Sequence, residues 1–349
     1  MVNESGETVF RTPQSIHFLI QNNGTLEFVK ELLTLKDHEG RVVFHSGDDI
    51  VDMPLVQEEG SWKYDPAMVE KVRGLINLKD PYGKTVFRDG KDVIFFLEAY
   101  APLRSAKRYI ATQKIEGGIC FNGNDLQRLK YSRVSPSYAT RLATTGLNAA
   151  TIVYYYHLGL TEDHLDFKNS GKPKALIIYA TSDDDKSFVE EEEFSFLRKI
   201  KRKYDIKIRA VSTVNEFYAE LEKSPQLDLL LIGGHGLNDN LEFGCSLPKY
   251  RIEIGEEGDL RIGTQGLKER LEKVRKGGVI YLESCCTGEG RGNAKNLANH
   301  VAECAPARRV ISCTREFDGR HVKVKKLYPL DLSIINGSPL EDCTYVVTR

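Results

Sequence analysis

Long apolar runs are missing from this 349-residue sequence. The longest, Leu147 to Leu160, contains Asn148 and His157 and falls short of the ~20 residues a membrane-spanning helix needs. No membrane association is expected. An excess of one charge is missing too: 49 Lys and Arg stand against 50 Asp and Glu, for a formal charge of -1. Such a chain offers no global attraction for nucleic acid or acidic lipid, so neither is expected as a partner and any charge preference has to be local. The opening stretch MVNESGETVFRTPQSIHFLI shows no basic segment followed by an apolar one, and no cleaved secretory leader is expected. The cysteines Cys120, Cys245, Cys285, Cys286, Cys304, Cys313 and Cys343 form no CxxC pair and no metal-ligand spacing. An odd number of scattered thiols suits a reducing compartment, and the expected location is cytoplasmic, in the producing cell or in a target cell that receives the protein. Nucleotide-binding motifs are also missing: Gly288-Glu-Gly-Arg-Gly292 precedes a helix but lacks both the Rossmann spacing and the Gly-Lys-Ser/Thr of a P-loop.

What is present divides into two textures. The chain is long enough for about two domains at ~150 residues each. The polar stretch Lys168-Asn-Ser-Gly-Lys-Pro-Lys174 marks a boundary, giving an N-terminal domain over 1–170 and a second over 171–349. Beyond it, short apolar runs alternate with amphipathic segments. Strands are expected at Ala175–Ala180, Ile206–Val211, Leu229–Ile232, Val279–Leu282 and Arg309–Ser312, and helices at Glu190–Tyr204, Val214–Leu221, Leu267–Val274 and Ala294–Val301. A polar excursion over Leu237–Gly263 reads as a hairpin. This alternation predicts an α/β fold with a mostly parallel sheet and helices on both faces. The first half reads as α+β, with strands at Ser15–Ile20, Arg41–Phe44 and Val93–Phe96, helices near Tyr64–Leu75 and Tyr138–Tyr156, and no evident internal repeat.

Ligands of an open parallel sheet bind at the carboxyl ends of its strands, where loops and helix N-termini converge. His235 follows the third expected strand and Cys285 the fourth, 50 residues later. On neighbouring strands, imidazole and thiol would face each other across one edge, the arrangement nucleophilic thiol catalysis requires. Gly233, Gly234 and Gly236 would let the backbone pass close around the imidazole. The amides of Gly236 and Cys285 are candidate oxyanion donors. Either feature alone has an ordinary explanation, a buried thiol or a structural histidine; the pairing argues for chemistry.

Leu230-Leu-Ile-Gly-Gly-His-Gly236 and Val279-Ile-Tyr-Leu-Glu-Ser-Cys285 together resemble the caspase-like (clan CD) cysteine peptidases. Glu283-Ser-Cys-Cys-Thr-Gly288 is similar to the metacaspase pattern Asp-Ser-Cys-His-Ser-Gly, and Tyr281-Leu-Glu-Ser-Cys285 to the legumain Tyr-Ile-Glu-Ala-Cys. The resemblance covers the second half of the chain and implies that Cys285, not Cys286, is the nucleophile. Cys286 stands where metacaspases have His, and Gly233 where they have Ser, so a bacterial caspase-like peptidase fits as well as a metacaspase. The resemblance further implies that Glu283 and the loop Ser182-Asp183-Asp184-Asp185 line the pocket for the residue before the cut. Carboxylates there favour Arg or Lys, although legumain carries a similar Glu and selects Asn.

The expected activity is therefore hydrolysis of protein or peptide substrates by a Cys285–His235 dyad that needs no metal or cofactor. The acidic residues around Asp183–Asp185 and Glu190–Glu193 raise calcium activation as an option, but without EF-hand spacing; Glu190–Glu193 suits a solvated helix N-terminus better. The basic run Arg198–Lys203 reads as a solvated helix face and a candidate for self-processing. The alternatives are a catalytically silent scaffold and another thiol acyl hydrolase. The N-terminal half would recruit substrate, bind a regulatory partner or restrain the site.

Overall fold

The computed structural model describes residues 9–10, 12–58, 61–65, 67–87, 90–98, 103–112, 121–181, 191–243, 259–316, 322–336 and 341–349. Two compact units divide the chain, Met1–Val153 and Tyr154–Arg349.

The second unit is mixed α/β. Its main sheet is built from β3 (Lys174–Ala180), β4 (Asp205–Val211), β5 (Leu227–Gly233), β9 (Val274–Glu283), β10 (Arg309–Cys313) and β14 (Thr344–Thr348), in the order β14-β10-β9-β5-β3-β4. All neighbours pair in parallel except β14, which runs antiparallel to β10. The inner strands are apolar along their length because both faces are covered. Leu176, Ile178, Leu230, Ile232, Ile280 and Leu282 pack against α11 (Val214–Lys223), α12 (Leu267–Leu271) and α13 (Leu297–Cys304). On the opposite face, Tyr154 stacks on Tyr179 at 4.6 Å, and Phe196 of α10 (Glu191–Lys203) meets Tyr281 edge-on. Within the Leu237–Gly263 excursion, β7 (Asn240–Glu242) pairs antiparallel with β8 (Asp259–Arg261), residues 244–258 lying outside the described ones, and β7 also pairs with β6 (His235–Gly236) to make a small antiparallel sheet. A further antiparallel set, β11 (Val322–Leu327), β12 (Leu330–Asn336) and β13 (Glu341–Asp342), follows β10.

This unit begins at Tyr154, ahead of the Lys168–Lys174 stretch. The intervening residues are tied to the edge strand β4: Arg209 donates to the Tyr155 hydroxyl and to the Leu165 carbonyl, and Lys207 faces Asp166. The basic run on α10 is also less solvated than its composition suggests. Arg198 and Lys201 donate to the carbonyls of His157 and Leu158, which end α9 (Ala149–Leu158).

In the first unit two of the three expected strands give way to helices. Ser15–Ile20 lies within α1 (Pro13–Gln21), because Thr12 accepts the Ser15 amide as an N-cap and Pro13 suits the first helical turn. Val93–Phe96 lies within α5 (Gly90–Glu98). Arg41–Phe44 contributes only an isolated bridge between Val42 and Lys36. The remaining helices are α2 (Leu26–Leu33), α3 (Gly47–Val51), α4 (Met68–Ile76), α6 (Leu103–Thr112), α7 (Gly123–Tyr131) and α8 (Pro136–Ala143). Of the helix expected over Tyr138–Tyr156, Gly146 at φ 85° makes two, α8 and α9. The described strands here are one short pair, β1 (Leu55–Glu58) with β2 (Ser61–Tyr64).

The first unit is also repetitive. Leu35-Lys-Asp-His-Glu-Gly-Arg-Val-Val-Phe44 and Leu78-Lys-Asp-Pro-Tyr-Gly-Lys-Thr-Val-Phe87 share Leu-Lys-Asp-x-x-Gly-x-x-Val-Phe. They fold alike. Asp37 accepts the amides of Glu39 and Arg41, Asp80 those of Tyr82 and Lys84, and Gly40 and Gly83 both adopt φ near +80°. Phe10, Phe44, Phe87 and Phe121 recur at intervals of 34, 43 and 34 residues, the longer one holding the β1–β2 pair. Each ring of the first three covers the bare Cα of the next repeat's leading glycine, Phe10 on Gly47, Phe44 on Gly90 and Phe87 on Gly123. Helices α1, α3, α5 and α7 stack in one row and α2, α4, α6 and α8 in another. The unit is a stacked helical array.

Candidate active site

His235 and Cys285 come to one edge of the sheet because their strands are neighbours: β5 pairs with β9 up to Gly233 and Glu283. Beyond those residues the two chains stay in contact. The Gly234 amide donates to the Glu283 carbonyl at 3.3 Å. A Cβ on Gly236 would stand 2.0 Å from the Ser284 hydroxyl and 2.9 Å from the Asn240 carbonyl, so the hairpin carrying His235 lies directly against the residue before Cys285. The Leu237 amide bonds Asn240 across the hairpin; by the alternation of an antiparallel ladder, the Gly236 amide is directed away from β7.

The cysteine turn is fixed from behind. The Cys286 amide donates to the Arg315 carbonyl, the Gly288 amide to that of Cys313, and the Ala298 amide to that of Thr287. Cys286 occupies the left-handed region at φ 56°, an uncommon conformation for a residue with a Cβ. Both thiols are half-buried. Burial, followed by the neighbouring Cys285, Glu289 and Glu316, pushes the Cys286 thiol up, which reduces its thiolate fraction at neutral pH.

Glu283 was expected to line a substrate pocket. Its carboxyl is buried on the α10 face of the sheet, where the Tyr179 hydroxyl donates to it at 2.6 Å and also contacts Glu193 of α10. A phenol has one proton and two carboxyls claim it. One carboxyl must therefore carry a proton of its own to complete both contacts. Burial accordingly pushes Glu283 up to about 7, and burial followed by the two glutamates pushes Tyr179 well up. Tyr281, two residues before Glu283 on the same face, is pushed well up by burial and then by Glu283 and Glu193.

Gly233 serves this cluster rather than the imidazole. It is paired on one side with Tyr179 and on the other with Glu283, and a Cβ there would stand 2.3 Å from the Tyr179 ring. Without a side chain at 233, the tyrosine passes over β5 to reach β9. Gly234 does serve a close backbone approach, since its Cβ position is 2.4 Å from the Glu242 carbonyl. Glu193, read from sequence as part of a solvated helix terminus, is buried. Tyr179 and Glu193 were missed as site residues; the signal was a tyrosine at the end of an otherwise aliphatic strand.

Asp183, Asp184 and Asp185, with Cys120 and Cys245, lie outside the described residues. Among the described residues no three or more His, Cys, Asp or Glu side chains are gathered as a metal ion requires, and no helix is long and apolar enough to cross a membrane. No protein-family model matches the chain, and no curated protein matches it.

Proposed function

We propose that the second unit is a caspase-like cysteine peptidase domain, preceded by the helical array as a separate module that recruits substrate or restrains the site. The observation that carries this reading is the seam between the two strand ends, Gly234 on Glu283 and Gly236 on Ser284, with a histidine and a cysteine each one residue beyond a contact. His235 takes the Cys285 thiol proton, and the sulfur attacks the scissile carbonyl carbon. The carbonyl electrons move to oxygen, where the Gly236 and Cys285 amides stabilise them. Collapse of the intermediate expels the amine, which receives the proton from His235. Water, deprotonated by His235, then attacks the thioester, releasing the carboxylic acid and returning the proton to sulfur. No metal or cofactor enters these steps.

Glu283 and Asp183–Asp185 are the proposed determinants of the residue before the cut; with one proton shared between Glu283 and the buried Glu193, that pair supplies a single negative charge. This favours Arg or Lys over Asp. The test is turnover of fluorogenic peptides differing only at that residue (Arg, Lys, Asn, Asp, Leu), with and without calcium, by wild type, Cys285→Ala and Cys286→Ala. Cleavage after Arg or Lys that disappears only in Cys285→Ala is the expected result. Cleavage after Asn or Asp removes the charge argument, and loss in Cys286→Ala alone reassigns the nucleophile.

A further inference from the structure

The outer end of the helical array is apolar where each later repeat is covered. Aligned on the leading glycines Gly47, Gly90 and Gly123, with Pro13 at that position in the first repeat, Ile16 of α1 corresponds to Ile50, Val93 and Leu126, all three fully buried, whereas Ile16 is 43% exposed. Aligned on Asp37 and Asp80, Leu26 of α2 corresponds to Val69, which is buried, whereas Leu26 is 48% exposed. Ile20, one turn beyond Ile16, is 65% exposed. The later positions are covered because α3 packs on α1, α5 on α3, α7 on α5 and α4 on α2. The first repeat thus presents its stacking face with no repeat against it among the described residues, whereas stable arrays end on polar faces.

We propose that this face binds the same face of a second copy of the chain, forming a closed two-fold dimer through α1 and α2. Three observations select that occupant. First, head-to-tail continuation of the array is blocked. Two of the stacking steps use a leading glycine whose amide donates to the preceding repeat, Gly47 to the Val9 carbonyl at 2.7 Å and Gly123 to the Val86 carbonyl at 2.9 Å. The first repeat has Pro13 at that position, with no proton to give. A partner must approach by another geometry, and a self-complementary face closes by two-fold symmetry.

Second, α1 (PQSIHFLIQ) has no Asp, Glu, Lys or Arg among its nine residues. Near a two-fold axis each side chain approaches its own copy, so the lack of fixed charge removes like-charge repulsion. Third, the helix starts at this end already have partners: Thr12 accepts the Ser15 amide and Thr25 the Phe28 amide. Covering the face would not strand those donors, and the gain from removing isoleucine and leucine from water is retained.

The experiment is sedimentation velocity of the full chain over a dilution series. Wild type, Ile20→Lys, Ile20→Glu and an equimolar mixture of the two variants are compared, with circular dichroism confirming unchanged helicity. The expected result is a reversible wild-type dimer and at least ~tenfold weaker association of each variant alone, since its dimer would bring two like charges together. The mixture should recover association, because only a face that meets itself is rescued by pairing opposite charges. A wild type that is monomeric throughout, a dimer indifferent to both substitutions, or open-ended oligomers would each overturn the proposal. So would dimerisation that appears only after deletion of residues 2–8, which would assign the face to the protein's own leading segment. None of these outcomes depends on peptidase activity.

Discussion

At the scale of single residues, proton counting constrains the site more tightly than charge counting. Tyr179 contacts both Glu283 and Glu193 with one hydroxyl, so the pair holds a proton at pH values where exposed glutamates are ionised. Glu283 ionises near its ordinary 4.5 in the unfolded chain and near 7 when folded. Folding therefore takes up a proton in that window, and the associated stability is complete below 4.5 and lost as pH rises through about 7. At ~1.4 kcal/mol per pKa unit the loss is roughly 3 kcal/mol. Urea unfolding at pH 5 and pH 8 should show wild type losing stability while Glu283→Gln, which keeps the shape without the titration, changes little. A wild type equally stable at both pH values would show that the carboxyls do not share a proton. The sequence identified Glu283 as notable through its spacing to Cys285. It could not identify Glu193 and Tyr179 as its companions, because their meeting depends on a glycine one strand away.

At the scale of elements, the two Asp-x-x-Gly hairpins of the array are near copies with different environments. Asp37 is buried and also faces Arg41; burial by itself would raise its pKa, but hydrogen bonds from Arg41 and the Glu39 amide hold the carboxyl below its ordinary value. Asp80 accepts the amides of Tyr82 and Lys84 at a more exposed position. Removing either acceptor strands two amides, at about 1–3 kcal/mol for a buried site and less where water can replace it. Asp37→Ala should therefore lower the unfolding midpoint clearly more than Asp80→Ala in parallel thermal melts; equal losses would mean that the turns are not distinguished by burial. The shared Leu-Lys-Asp-x-x-Gly-x-x-Val-Phe pattern was readable in the sequence. It was obscured by the β1–β2 pair, which lengthens one interval, and by repeats in which only the Phe and the helix face recur. Ser15–Ile20 and Val93–Phe96 read as strands because short apolar runs do not declare their period. Caps and stacking between repeats decide for helix.

At the scale of the whole molecule, the division at Tyr154 changes how the chain should be cut. A fragment starting at Gly171 would lose Tyr154 from the face of Tyr179 and Tyr155 from Arg209. It would uncover aromatic rings beside the Glu283 cluster. Starting at Ala149 retains both contacts. The Ala149 fragment should unfold cooperatively in urea, and the Gly171 fragment should be markedly less stable or aggregate; equal stability would make the Tyr154–Lys168 segment a mere linker. Tests of whether the array restrains the proposed active site belong with the longer fragment, where lost activity is not confounded with lost folding.

Local pattern was sufficient for much of the second unit. Continuous apolar strands alternating with amphipathic helices dictated a parallel sheet with two covered faces, and from that sheet His235 and Cys285 at adjacent strand ends. These features follow from nearest neighbours along the chain and from the period of its apolar residues. What only the tertiary structure decided are the contacts made across strands and between repeats: Tyr179 reaching Glu283 over Gly233, Glu193 drawn from a charged run into the interior, and phenylalanines seated on glycines 36 to 46 residues away. Their physical reason is common. Whether a polar group is buried, and which proton it shares, depends on partners distant in sequence that arrive only when the core closes.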